Sequence, residues 1–179
     1  MTLWPIEQVL PHAGAMILLD AVLEYDAERV VCHRRIPTTG LFQDAGGLPG
    51  WMGVELMAQT IAAWAGCHAR AAQQPIRLGF LLGSRHYHCN VDTFPIGSEL
   101  RIEAVRSFHD EHGMGVFACR IDAADMHAEA RLTVFSPPDA DAFLRLANQS
   151  RDVQDPSTQD PRAQDRPAQA QAQQERTDV

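Results

Sequence analysis

The chain has 179 residues, 45% of them hydrophobic, and a formal net charge of −8. Its length suits one domain with or without a tail, and its apolar content is sufficient for a core. The negative charge argues against sequence-independent binding to nucleic acid or to an anionic membrane, since both depend on positive side chains. No window reaches the roughly 18 consecutive apolar residues that cross a bilayer. The N-terminus MTLWPIEQVL has neither the positive charge nor the cleavage site of a signal peptide, so we expect a cytoplasmic protein.

The kinds of reactive side chain present narrow the chemistry. The 15 basic residues are all arginine, which excludes Schiff-base formation by lysine and the lysine of a P-loop. No serine lies in a G-x-S-x-G turn. The cysteines show neither C-x-x-C spacing nor a disulfide framework, and we interpret them as reduced, mostly buried thiols: Cys32, Cys67, Cys89 and Cys119. Carboxylates, histidines or a thiol remain as the reactive groups.

In chain order, the pattern predicts strands at 17–25 and 28–36, followed by a Gly- and Thr-rich loop at 37–49. Residues 50–72 are rich in Ala, Leu, Met, Glu and Gln and form too long a run for a strand, so they predict a helix. Strands follow at 76–88, 99–108, 114–122 and 126–135, and a short helix at 139–147. This order predicts an α+β fold.

From residue 150 the composition changes to a Gln- and Pro-rich segment without Leu, Ile, Phe, Met, Trp or Tyr. Such a segment cannot bury enough apolar surface to offset the entropy lost on ordering. We therefore expect a working domain at 1–149 and a disordered polar tail at 150–179.

The predicted central helix has apolar residues on every side, which is typical of a buried helix. A sheet wrapped around it, together with a second subunit, would be needed to cover it. Within this helix Glu55 and Gln59 lie four residues apart on one face. They could simply satisfy each other or nearby backbone groups. Alternatively, a buried carboxyl without a cation has a raised pKa, stays protonated near neutral pH, and can act as a general acid.

Three segments resemble one known family. PGWMGVELMAQ, at 49–59, is similar to the PGVLxxEAMAQ signature of FabZ-type 3-hydroxyacyl-acyl carrier protein dehydratases, with six identical positions: Pro49, Gly50, Glu55, Met57, Ala58 and Gln59. LPHAGAMILLD, at 10–20, resembles the family's LPHRxPFLLVD, and FPIGSELRIEA resembles its PGDxLxxEV strand start. The resemblance implies a hot-dog fold, an antiparallel sheet wrapped around a long central helix, with active sites between two paired protomers. Within the family the chain looks closest to the ApeP-like predicted dehydratases of aryl polyene pathways.

One departure affects the catalytic assignment. The family's catalytic histidine belongs to a GHFPG loop, and the matching position here is Leu41. The resemblance therefore leaves His12, in the LPH motif, as our candidate for the base, although it could be a structural histidine that ties the loop to the helix. Asp44, in the loop near the vacated position, is the second candidate.

The implied reaction is dehydration of a 3-hydroxyacyl thioester, with His12 taking the C2 proton and Glu55 protonating the departing hydroxyl. Free backbone N–H groups at the helix start, near Gly50 and Trp51, would stabilise the thioester oxygen, Gly50 would allow close approach of the substrate, and Gln59 would help to bind it. The scheme requires no cofactor and no metal. The expected partners are an acyl carrier protein and a second hot-dog protomer, identical or different. Four arginines are candidates for carrier binding: Arg77, Arg85, Arg101 and Arg106.

Three alternatives remain open at this point. A thioesterase can use the same fold, because the scaffold does not determine the chemistry. A non-catalytic hot-dog subunit that binds acyl chains would explain the missing loop histidine. A metal site is a weaker alternative, built from His86, His88 and Cys89 or from His109 and His112, and neither set completes a tetrahedral shell.

Overall fold

The computed structural model describes residues 3–137, 139 and 142–145 of the chain. One long helix, α1, spans Gly53–Ala71, directly after a 3₁₀ turn at Gly50–Met52. The strands are β1 Ala21–Tyr25, β2 Arg29–Arg35, β3 Gly47–Pro49, β4 Phe80–Cys89, β5 Thr93–Pro95, β6 Glu99–His109, β7 Met114–Ala123 and β8 Met126–Phe135. Two further 3₁₀ turns, Ile6–Gln8 and Gly14–Met16, lie in the N-terminal segment.

Within the described residues, six strands form an antiparallel sheet in the order β1-β2-β6-β7-β8-β4, and β3 pairs with β5 in a separate two-stranded ribbon. Strands β6, β7 and β8 follow one another through hairpins. Strand β2 pairs with β6, although α1 lies between these two strands in the sequence. The free edges of the large sheet are therefore β1 and β4.

All six strands of this sheet contact α1, which lies against one sheet face. The core contains side chains from both layers, including the fully buried Leu56, Met57, Ile102 and Leu132. The side of α1 that faces away from the sheet is less covered, since Ala65 is exposed and Ala62 is half-buried. The expected wrapping of a sheet around an apolar helix is therefore present, and the outer side of the helix is covered in part by the N-terminal segment.

The N-terminal segment runs along α1 and contacts it at two levels. Near the helix C-terminus, the Arg70 Nε donates a hydrogen bond to the carbonyl of Gln8 at 2.8 Å. At Gly66 the backbone of Val9 comes so close that any Cβ on the helix would overlap the Val9 carbonyl. The second level is at Gln59, closer to the helix start, and belongs to the candidate site described below. The glycine at position 66 is thus required by the close approach of two backbones.

The sheet face opposite the helix carries a charged cluster around Glu103. This residue is only 7% exposed, and its carboxylate pairs with Arg29 on β2 and Arg120 on β7. Burial acts to raise the pKa of Glu103, but the hydrogen bond from Arg29 and the charges of Arg120 and Arg29 together lower it below the usual value. Glu103 is therefore held ionised between two cations.

The ends of several elements differ from the predicted ones for identifiable reasons. The first strand begins at Ala21 rather than at 17, because the Leu18 N–H donates to the Gln59 side chain and not to a neighbouring strand. Strand β4 begins at Phe80 rather than at 76, since its partner β8 ends at Phe135. Strand β3 lies inside the segment predicted as a loop, and neither three-residue strand of the ribbon is long enough to show periodicity.

Residues 142–145, described by themselves, are helical, in agreement with the predicted short helix at 139–147. The rest of that helix, apart from residue 139, and the predicted tail at 150–179 lie outside the described residues. Among the helices of the described part, none has both the length and the apolar character needed to traverse a bilayer.

Candidate active site

Glu55 occupies the first turn of α1. The apolar character of the helix predicted a buried carboxyl, but Glu55 is only half-buried. Its Oε1 accepts a hydrogen bond of 2.9 Å from the Nε2 of Gln59, one helical turn further on. The two side chains lie on one face of α1, as their spacing predicted.

Gln59 is completely buried, and its amide joins Glu55 to the N-terminal segment. Its Oε1 accepts from the Leu18 N–H at 2.9 Å, and its Nε2 donates to the Met16 carbonyl at 2.8 Å as well as to Glu55. Because both amide N–H groups are used within the protein, Gln59 has none to offer a substrate. These contacts tie Glu55 to the N-terminal segment, and the substrate-binding role of Gln59 stays a prediction.

His12 lies in the same N-terminal segment, four residues before Met16, and its side chain is half-buried. Its Nδ1 is shielded from solvent, yet no hydrogen-bond partner for it is found among the described residues. A buried polar atom without a partner is costly, and a catalytic role or a bound ligand is one explanation for such an atom. The structure thus places His12 on the segment that Gln59 ties to Glu55.

The backbone around Gly50 is more constrained than the sequence suggested. Its N–H donates to the Asp92 carbonyl at 2.7 Å, so the Gly50 N–H is not free for a thioester oxygen. A Cβ at this position would collide with the Val91 carbonyl. Glycine is therefore needed here for the approach of the β4–β5 connection, and its expected role in substrate approach stays a prediction. The N–H of Trp51, in contrast, makes no hydrogen bond to any residue that the structure describes.

Tyr87, on β4, is a site residue that the sequence analysis missed. Its hydroxyl donates a hydrogen bond to the Gly50 carbonyl, which also accepts from the Gly53 N–H. Burial, with a smaller contribution from Cys89, raises the pKa of Tyr87 well above its usual value, so the hydroxyl keeps its proton. No signal in the sequence connects a strand tyrosine with a glycine 37 positions earlier, because only the tertiary pairing brings them together.

The loop between β2 and β3 holds the position where the family carries its histidine. Leu41 and Phe42 are exposed there, and Phe42 has a left-handed backbone with φ of 64°. The second candidate base, Asp44, is exposed, and its Oδ1 accepts from the backbone N–H groups of Gly46 and Gly47 at 2.8 and 3.2 Å. These bonds give Asp44 a turn-stabilising function.

The alternative metal sites find little support in the geometry. In the described residues, no group of three or more His, Cys, Asp or Glu side chains is arranged to hold an ion. Strand β4 is irregular between Arg85 and His88, with His86 at φ of 56°, so the simple alternation expected of His86 and His88 does not hold. At the β6–β7 hairpin, Asp110 Oδ1 accepts from the backbone of His112 and Met114, as in a polar turn.

All four cysteines are free thiols, as predicted, and three are buried. Burial raises the pKa of Cys32 and Cys119 to about 12 and that of Cys67 to about 11. Protonated, buried thiols are poor nucleophiles, so these three cysteines are not candidates for the reactive group.

Comparisons with known proteins identify the family of the chain. The model of the ApeP-like family, described as ApeP dehydratase, matches residues 4–145. The dehydratase heterocomplex ApeI:P from Xenorhabdus doucetiae contains a chain with 31% sequence identity and a TM-score of 0.74, over 82% of this chain and 99% of that one. Cj0977, a virulence protein from Campylobacter jejuni, has 14% identity and a TM-score of 0.51, over 75% of this chain and 89% of that one.

A hypothetical thioesterase protein from Streptococcus pneumoniae, solved with coenzyme A, has 14% identity and a TM-score of 0.49, over 64% of this chain and 83% of that one. No curated protein sequence matches the chain. The family model covers most of the described fold, including the N-terminal segment, α1 and the whole sheet. The chain belongs to the ApeP-like dehydratase family, and its fold is the hot-dog fold.

Proposed function

We propose that this dehydratase acts on a 3-hydroxyacyl thioester carried by acyl carrier protein, with His12 as the base and Glu55 as the acid. His12 removes the proton from C2, Glu55 protonates the hydroxyl that leaves C3, and the products are the 2-enoyl thioester and water. Both groups must flank the same pair of carbon atoms for this elimination.

The observation that carries this proposal is the Gln59 amide, which holds Glu55 and the His12-bearing segment at once. A buried amide whose two N–H groups donate to two separate parts of the chain fixes these parts relative to each other. The Nδ1 of His12 supports the same assignment, since it has no hydrogen-bond partner among the described residues and is left available to a ligand.

The developing charge on the thioester oxygen needs a hydrogen-bond donor. The Gly50 N–H is occupied by Asp92, so we assign this role to the N–H of Trp51 at the start of the 3₁₀ turn. The peptide dipoles of the turn and of α1 add partial positive charge there.

The test is conversion of a 3-hydroxybutyryl thioester to the crotonyl thioester, assayed with the chain alone and with its hot-dog partner subunit. We expect His12→Ala and Glu55→Gln each to lower kcat by about 10²-fold or more, as loss of a general acid or base does. His112→Ala and Glu111→Gln, on the exposed β6–β7 hairpin, are the matched controls and should retain full activity. Unchanged activity in both site variants would refute the assignment.

A non-catalytic role in a complex is the second candidate, because Leu41 stands where the family has its histidine. In that case the complex would retain activity when His12 and Glu55 are replaced, and activity would depend on the partner subunit's residues alone. A thioesterase would instead release free thiol from an acyl thioester without forming the enoyl product. The same assay therefore separates the three functions.

We further propose that β4 pairs with a second hot-dog protomer, as the dehydratase heterocomplex suggests for a related chain. Strand β4 is an edge of the sheet, with β8 as its neighbour among the described strands, and it carries two exposed leucines, Leu81 and Leu82, of which Leu82 is 54% exposed. Edge strands of this kind are usually covered. We expect Leu82→Glu to dissociate the assembly in light-scattering measurements, whereas Leu23→Glu, on the opposite edge strand β1, should not.

For the carrier protein, the structure divides the four candidate arginines. Arg101 pairs with Glu24, and Arg106 lies near Glu28 and over the Trp64 ring, so neither is free. Arg77 and Arg85 are exposed and have no ion pair within the described residues, and we propose that they contact the acidic carrier. Arg85→Glu should raise KM for a carrier-bound substrate and leave KM for a short soluble thioester unchanged.

A further inference from the structure

The carbonyl of Gly50 and the N–H of Trp51 belong to a single peptide unit, whose carbonyl accepts two hydrogen bonds, and a third hydrogen bond holds the peptide unit before it. The carbonyl accepts from the Tyr87 hydroxyl and from the Gly53 N–H, and the preceding N–H of Gly50 donates to Asp92 at 2.7 Å. Because a trans peptide is planar, its N–H points opposite to its carbonyl. Whatever holds the Gly50 carbonyl therefore also sets the direction of the Trp51 N–H.

We infer that Tyr87 is a positioning residue that aims the Trp51 N–H at the thioester oxygen of the substrate. This inference rests on the proposed function. A hydrogen bond to the carbonyl also polarises the peptide and makes its N–H a stronger donor. Tyr87 itself contacts neither substrate nor reacting atoms in this scheme and acts through the Gly50–Trp51 peptide.

Two features of the surroundings support the role. Gly53 lies directly beneath the Tyr87 hydroxyl, and a Cβ at that position would overlap the hydroxyl oxygen. The absence of a side chain at Gly53 thus creates the space that the hydroxyl needs to reach the Gly50 carbonyl. Burial keeps the pKa of Tyr87 high, so the hydroxyl remains a donor throughout the neutral range. Tyr87 joins a strand of the sheet to the start of the helix at the one peptide where the proposed oxyanion donor lies.

The kinetic test uses Tyr87→Phe, which removes the hydroxyl and keeps the ring. Loss of an oxyanion-hole donor lowers kcat by roughly 10²–10³-fold, and since this variant only releases the donor, we expect about a tenfold lower kcat with KM within about twofold. Tyr25→Phe removes a hydroxyl from a buried ring that packs on Trp4 and His68, and serves as the control with unchanged kinetics. An unchanged kcat in Tyr87→Phe overturns the inference, as does a rise in KM at constant kcat.

A double-mutant cycle makes the test specific to the hydroxyl. Gly53→Ala should lower kcat to a similar extent, because its methyl group displaces the Tyr87 hydroxyl from the Gly50 carbonyl. In the Tyr87→Phe background the oxygen is absent, and the same alanine should cause little further loss. Additive effects of the two substitutions would show that Gly53→Ala acts through another contact and would count against the inference.

An NMR experiment distinguishes failure of this inference from failure of the proposed function. In the unliganded assembly, Tyr87→Phe should move the NMR resonances of the Gly50 carbonyl carbon and the Trp51 amide proton, and Tyr25→Phe should not. Unchanged resonances overturn the positioning role whatever the activity. If the wild-type assembly has no dehydratase activity but the resonances move, the proposed reaction is refuted while the hold of Tyr87 on this peptide stands.

Discussion

Replacing Gln59 by leucine tests the connection on which the site depends. Leucine has a similar volume, so the substitution removes the amide with little change in packing. It leaves the Leu18 N–H, whose bond is buried, without an acceptor, and the part-buried Met16 carbonyl without its donor. An unsatisfied buried group costs about 1–3 kcal/mol, so these two groups together predict a loss of about 2–4 kcal/mol in the free energy of unfolding.

Thr60→Val provides a matched control at the next position. Thr60 is also completely buried, but its hydroxyl donates to the Leu56 carbonyl of its own helix, one turn earlier, and its side chain contacts the Cys32 thiol, so it does not join α1 to the N-terminal segment. Removing it should cost no more than about 0.5–1.5 kcal/mol, the net value of an ordinary hydrogen bond. Urea unfolding measures both variants, and hydrogen exchange should show a loss of protection of the Leu18 amide in Gln59→Leu alone. If Gln59→Leu destabilises the protein no more than Thr60→Val, the bridging role of this amide is wrong.

Three more predictions concern other parts of the fold. Because the pKa of Glu103 is lowered in the folded state, its ion pairs stabilise the protein above the unfolded carboxyl pKa and are lost as the pH falls through the folded value. Glu103→Gln should therefore lower the free energy of unfolding by about 1–2 kcal/mol at pH 7. A loss that stays the same as the pH is lowered would contradict this. Gly66→Ala should destabilise the protein by about 1–3 kcal/mol, because the added methyl group collides with the Val9 carbonyl. Helix propensity alone would make this substitution stabilising. A raised midpoint in thermal unfolding would therefore exclude the close packing of the two backbones. Cys89, half-buried, should react first with a thiol reagent in the native protein, and mass spectrometry showing equal labelling of the buried thiols would disprove this order.

Most of the fold could be predicted from the sequence because its main signals are local. The run of helix-forming residues at 50–72 corresponds to the 3₁₀ turn and α1, and the alternating segments after residue 76 correspond to the long strands. The hot-dog fold, the resemblance to the ApeP-like family and the dehydratase function are confirmed. The ribbon of β3 and β5 was missed because each strand has three residues and ends in a proline, at Pro49 and Pro95.

The candidate site was harder to predict, since its details depend on tertiary contacts. The motif with Glu55 and Gln59 indicated two polar residues on one helix face, but no local pattern shows that Gln59 bonds to Leu18 and Met16. For the same reason a free N–H was expected at Gly50 as well as at Trp51, whereas the partner of the Gly50 N–H lies more than 40 positions away in the connection after β4. The catalytic roles of His12 and Glu55 stay predictions.

The pairing of β2 with β6 has a consequence for how the chain folds. It joins Arg29 to Val105 and Arg35 to Glu99. The chain between β2 and β6, which includes α1, is therefore a long loop whose ends must come together for this ladder to form. The hairpins of β6, β7 and β8 close short loops and are expected to form early, whereas the β2–β6 ladder carries the entropy of closing the long one. If the N-terminal segment docks on α1 after that step, substitutions at its contacts will mainly accelerate unfolding and leave the folding rate nearly unchanged.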